Sequence, residues 1–188
     1  DGRPMSQTFF ALDMRTLAIL LVGLGALVAA VFLGLWRQGA GGRPALIWAL
    51  AHALGALGYL LIALRGLLPA WVSIVVANLT LHSATFLLLH GARLFVGRPS
   101  PFRLTGVVLA AEALALTYWT YPHPDLVARI VLVSAISGGF LVATGITFLR
   151  SRDAGRWGLH MLAALAFVGV GGVLWLRGAG TLAFPPSG

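Results

Sequence analysis

Long apolar runs follow one another along this chain, separated by short arginine-bearing turns. A helix rises about 1.5 Å per residue, so a run of about twenty residues covers a hydrocarbon core of about 30 Å. The most informative run is WVSIVVANLTLHSATFLLLHGARLFVGR, residues 71–98. It carries no charge before Arg93, yet it holds Ser73, Asn78, Thr80, His82, Ser83, Thr85 and His90. Lipid on all sides would leave those polar groups unsatisfied, at a cost in free energy. At 100° per residue, Asn78, His82 and Thr85 share a stripe about 60° wide. That stripe must face other protein, a ligand or water.

The composition agrees. Of 188 residues, 59% are hydrophobic and 10% charged, and the mean hydropathy is +0.94. Soluble domains carry about 25% charged residues, so the class is an all-α polytopic membrane helix bundle. The net charge of +8 does not indicate nucleic acid, because the basic residues, all arginine, lie in short clusters between apolar runs. The absence of cysteine excludes disulfides and thiolate metal sites. The first run is too long for a cleavable signal and is flanked by Arg15 and Arg37. MSQTFF from Met5 reads as a native start, which makes DGRP at positions 1–4 a tag remnant.

Six transmembrane helices are expected, at about residues 16–36, 45–64, 71–93, 104–121, 126–149 and 157–176, in one helical domain without a separate soluble part. Pro44 suits a helix start, GRPSPFR breaks the chain after the third helix, and the tail RGAGTLAFPPSG carries no signal of order. Arginines in alternate turns set the orientation. Arg37, Arg43, Arg93, Arg98, Arg103, Arg150, Arg152 and Arg156 fall on one side, against Arg3, Arg15, Arg65, Arg129 and Arg177 on the other. The first side is expected to be cytoplasmic in a bacterial inner membrane, with both termini outside. Trp71, Trp119 and Tyr121 then mark the outer interface, Trp36 and Trp157 the inner one. Ala51 with Gly55, and Ala135 with Gly139, have the four-residue spacing that lets membrane helices approach. Gly138 and Gly139 together are also candidates for a flexible point.

Three stretches, LDMRTL (residues 12–17), LRGLLPAWVSIVVAN (64–78) and GARLFVGR (91–98), resemble the membrane-embedded input region of bacterial diguanylate cyclases, the proteins that end in a GGDEF domain. The resemblance covers about half of the chain. It implies a helical bundle that senses a stimulus and controls cytoplasmic synthesis of cyclic di-GMP. No GGDEF motif is present, so no catalytic activity is assigned to these residues. A C-terminus outside needs one further crossing before a cytoplasmic enzyme, so the chain is read as a truncated or cleaved sensor region.

Glu112 is the one acid well inside an apolar run. Its carboxylate costs roughly 2.5 kcal/mol or more in lipid unless paired or protonated, which makes it a ligand contact, a proton-responsive group or a structural acid bonded across helices. His82 lies ~16 Å and Glu112 ~12 Å from the inner boundary. Asn78, His82, Thr85 and Glu112 are therefore the expected ligand-binding set, with Asn78 satisfying the carboxyl group's remaining lone pair. The histidines also match in depth as two pairs, His52 with His82 and His90 with His160, each fit to hold a haem b between helices; hydrogen-bonded or interfacial histidines are the plainer reading. His123, between two prolines, reads as a loop residue. No site with three or four metal ligands is indicated. The inner arginines read first as anchors to anionic headgroups. The leading functional expectation is a sensor module binding a small or lipid-soluble ligand. A haem-binding membrane cytochrome or redox sensor comes second, and a small transporter or structural subunit third. The lipid bilayer is the expected partner, and a second copy of the chain is left open.

Overall fold

The computed structural model describes residues 14–151 and 157–185. They form α1 (Met14–Arg37), α2 (Gly42–Ala63), a π-helical turn (Trp71–Val76) running unbroken into α3 (Ala77–Phe95), α4 (Phe102–Tyr118), α5 (Leu126–Leu149) and α6 (Trp157–Ala183). No strand occurs among the described residues. Five of the six helices are long and apolar enough to cross a membrane. The exception is α4, whose 17 residues rise ~26 Å and carry Glu112 near the middle. The expected six spans are thus six helices, five of them of spanning length. Arg3, Arg152, Arg156 and the DGRP segment lie outside the described residues.

Local chemistry sets the helix ends. The turn before α2 uses Gly39 and Gly41 at φ 76° and 84°, a left-handed geometry that favours glycine. Pro44 sits in the first turn of α2, where a missing N–H costs nothing. At the start of α5, the Asp125 carboxylate accepts from the Ala128 N–H at 2.9 Å. Helix α6 continues past its expected end at 176, through Arg177 to Ala183, since an arginine near a helix end extends its charged head to the interface. The exposed Trp36, Trp71, Tyr121 and Trp157 stand at the helix ends or in the adjoining turns.

Side-chain contacts give the helix directions. Gly25 lies against Ala56 and Phe32 against Trp48, so α1 and α2 are antiparallel. Gly58 against Leu81 and Gly91 against Trp48 make α2 and α3 antiparallel. His82 meets Glu112 and Phe86 meets Phe102, so α4 runs back along α3. Phe86 with Phe140 and Phe95 with Phe148 make α3 and α5 parallel, and α6 returns along α5. Helix α3 is central, touching α2, α4 and α5.

Two closures recur. The Trp48 indole covers Gly91 and its N–H donates to the Leu88 carbonyl at 3.3 Å. The Trp175 indole covers Gly138 and donates to the Ala135 carbonyl at 3.2 Å. Each tryptophan thus fills a glycine notch and bonds the carbonyl three residues earlier on the facing helix. Between α5 and α6 the backbones themselves come close: a Cβ on Gly145 would meet the Ala164 carbonyl oxygen at 2.9 Å. The expected pair Ala135 and Gly139 is one position off. A Cβ on Gly139 would meet nothing within 4 Å, whereas Gly138 lies at the α6 contact. Gly55 of the other expected pair faces Ala84, a Cβ there standing 3.8 Å from it.

Gly145→Ala is expected to cost about 1–3 kcal/mol, the range for overpacking a tight contact. Gly139→Ala is expected to be neutral or slightly stabilising, since alanine is the better helix former. Thermal unfolding of both variants in detergent checks this, and equal midpoints would contradict the assigned α5–α6 face.

Candidate functional site

The polar stripe of α3 resolves into one buried junction of three helices. His82 and Glu112 are 0% and 1% exposed. The His82 imidazole bonds the Glu112 carboxyl group through Nδ1. Its Nε2 lies 2.7 Å from the Ser137 hydroxyl and 3.2 Å from the Val133 carbonyl, both on α5. A carbonyl only accepts, so that contact assigns a proton to Nε2. Two states remain for the other side: a carboxylic acid donating to neutral imidazole, or imidazolium donating to carboxylate. Both are neutral overall, which is what an apolar interior requires of a buried acid. The junction ties α4 to α3 and α3 to α5 through a single ring.

The depth count therefore brought His82 and Glu112 together correctly, while Asn78 and Thr85 go elsewhere. The Asn78 amide donates to the Ile74 carbonyl at 2.6 Å and the Thr85 hydroxyl to the His82 carbonyl at 2.9 Å, both within their own helix. Intrahelical bonding satisfies such side chains without a neighbour, so a shared stripe does not imply a shared partner. The third contributor is Ser137. It sits on a helix more than fifty residues away and carries no signal in the sequence beyond being a polar residue in an apolar run. Glu112 Oε2 has no partner among the described residues.

The histidine pairs matched in depth point in different directions. The His52 ring stacks on Phe32 of α1, with centroids 5.8 Å apart and planes 4° from parallel. His82 faces α4 and α5 and uses both nitrogens. His90 Nδ1 lies 2.6 Å from the Ser100 hydroxyl, and its ring meets Phe102 edge-on. His160 is buried between Phe95 and Phe148. A haem b needs two free imidazole nitrogens facing one gap, and neither pair offers that arrangement. Residue counting yields depth along a helix, whereas the direction around it depends on which helices become neighbours. No group of three or more histidines and acids fit for a metal ion occurs among the described residues.

A second feature lies beside the junction. Between α4 and α5, against the C-terminal end of α3, is a crevice of about 550 Å³, within the range of about 300–1,000 Å³ typical of ligand sites. Its walls are mainly apolar, including Leu104 and Val108 of α4 and Ile136 and Ala143 of α5; Gly139 contributes a wall without a side chain. Ile136 adjoins Ser137, so one end of the crevice borders the buried junction. Arg93, Arg98 and Arg150 line the other end. Arg98 donates to the Arg150 carbonyl at 3.0 Å, closing the C-terminal ends of α3 and α5 together.

Comparison with family models, with curated proteins and with solved structures found no match.

Removing one partner of a buried pair costs about 3–5 kcal/mol, because the other group is left uncompensated. His82→Ala is expected to lose that much in detergent stability. Glu112→Gln, which keeps the shape and a hydrogen bond, is expected to lose clearly less. Equal losses in thermal unfolding would show that the carboxyl proton is irrelevant to the junction.

Proposed function

We propose that the chain is a membrane-embedded signal-input module that takes a lipid-soluble ligand into the crevice between α4 and α5. The observation that supports this most is the contrast in packing: α1–α2, α2–α3 and α5–α6 close through small residues and tryptophan notches, whereas α4 stands off α5 across a cavity. A ligand there would move α4 relative to α5, with the His82–Glu112 bond as the point about which α4 turns. Arg98, bonded to the Arg150 carbonyl, would carry the change to the inner ends of α3 and α5.

In this reading α4 is the sixth crossing, although it is short. Two parallel helices, α3 and α5, need a return between them, and α4 runs antiparallel to α3. The cytoplasmic side is then the one bearing Arg93, Arg98 and Arg150, in a bacterial inner membrane. An output such as cyclic di-GMP synthesis, of the kind the resemblance implies, would be reached by a further crossing after α6. The haem reading is the weaker one, because His82 would have to give up an existing partner to bind iron.

Two measurements test the proposal. Reporter fusions in the turns at Gly97 and His123 are expected on opposite sides, inside and outside; the same side for both would remove α4 as a crossing. The chain contains no cysteine, so spin labels can be placed at will. Labels on the exposed Val107 and Leu149 are expected to show a shifted distance between lipid-free detergent and bilayers of the expression host's total lipid extract. One unchanged distance in both would leave α4 a static scaffold.

A further inference from the structure

The crevice joins two kinds of surface that rarely meet without an amphiphile. Most of its wall is aliphatic, and it opens sideways: Leu104 and Ile146, both lining it, are 64% and 38% exposed. From Ala135 to Arg150 it follows α5 for ~22 Å, enough for an acyl chain reaching about 15 Å into one leaflet of a core about 30 Å thick. At its inner end three guanidinium groups come from separate places, Arg93 from the last turn of α3, Arg98 from the following turn and Arg150 from the end of α5.

These arginines have few protein anions to meet. Among the described residues the only acids are Glu112, which is bonded to His82, and Asp125, which caps the opposite end of α5. Asp153 lies outside the described residues. The Arg93 Nε is buried without a hydrogen-bond partner among them, and a buried donor left unpaired costs free energy that an anion would recover. Arg98 is held in place by the Arg150 carbonyl and keeps further N–H groups for an acceptor. Guanidinium groups arranged in this way suit the oxygens of a phosphate.

We propose that Arg93, Arg98 and Arg150 form the headgroup site of one anionic phospholipid, drawn from the cytoplasmic leaflet with an acyl chain in the crevice between α4 and α5. This rests on the reading of the crevice as a ligand site and names the ligand class. Lateral opening and aliphatic walls favour a lipid over a free anion, and the positive rim favours an anionic lipid over a zwitterionic one. General attraction of inner arginines to the membrane surface predicts something different: every arginine on that side would count equally, including Arg37 and Arg103, which do not line the crevice.

Native mass spectrometry of the delipidated full chain in detergent, titrated with phosphatidylglycerol or phosphatidylcholine, separates these cases. One phosphatidylglycerol is expected to be retained in preference to phosphatidylcholine. Arg93→Gln and Arg150→Gln are each expected to weaken it roughly tenfold or more, the scale of a lost charge-assisted hydrogen bond, while Arg103→Gln leaves it unchanged. Ala143→Trp, which fills the crevice, is expected to abolish it. Equal retention of phosphatidylcholine would overturn the proposal, as would equal weakening by Arg103→Gln. Undiminished binding in Ala143→Trp, or displacement by inorganic phosphate at similar concentration, would reduce the site to an anion site without a chain and overturn it too. If Arg93→Gln does not yield monodisperse protein, Arg150→Gln, on an exposed end of α5, carries the same comparison. Specific lipid retention with an unchanged distance between labels at Val107 and Leu149 would uphold the lipid site and reject the sensor reading.

Discussion

A carboxyl group in the middle of an apolar bundle must be given a partner before the helix that carries it can settle, and the core of this fold follows from how that is done. Glu112 sits on the shortest and least tightly packed helix, and the imidazole that receives it is on the central one. That imidazole is itself held from the far side by α5. One ring therefore decides the depth of α4 and its rotation toward α3. It also sets the distance at which α5 stands. Hydrophobic association cannot do this in lipid, where tails and leucines are equally apolar.

The other interfaces solve the problem by closeness. Tryptophans over Gly91 and Gly138, and backbone against backbone at Gly145, bring α2–α3 and α5–α6 into close contact at those positions. A bundle with tight pairs on either side and a polar bond through the middle leaves room where α4 stands off α5. The crevice lies there, bounded by the junction at one end and by arginines at the other.

Much of this could be read from residues alone. Apolar run length predicted six helices with boundaries close to those observed except at the end of α6, and counting from the arginine-rich ends placed His82 and Glu112 within reach of each other. What could not be read was direction around the helix axis. Asn78 shares the stripe with His82 yet bonds its own helix, and Ser137 enters from α5 because α3 and α5 are parallel neighbours, a property of the assembled bundle. The same limitation misplaced the glycine face by one residue, Gly138 for Gly139. It also paired histidines that face different neighbours: His52 faces α1, His82 faces α4 and α5, His90 faces α4, and His160 faces α3 and α5. The three arginines at the crevice were visible as basic residues, and their convergence was not.

The π-helical turn at Trp71–Val76 has a further consequence. Such a turn corresponds to an extra residue accommodated inside a helix, closed by bonds one residue longer than usual. Here it precedes the stretch that carries His82 and packs against α2 and α4. The residues of that turn are therefore wound differently from those of α3, so the angular position of His82 is set from Ala77 onward and not by the chain before it. The turn is a phase offset between the loop that precedes it and the centre of the bundle, where the buried ring sits.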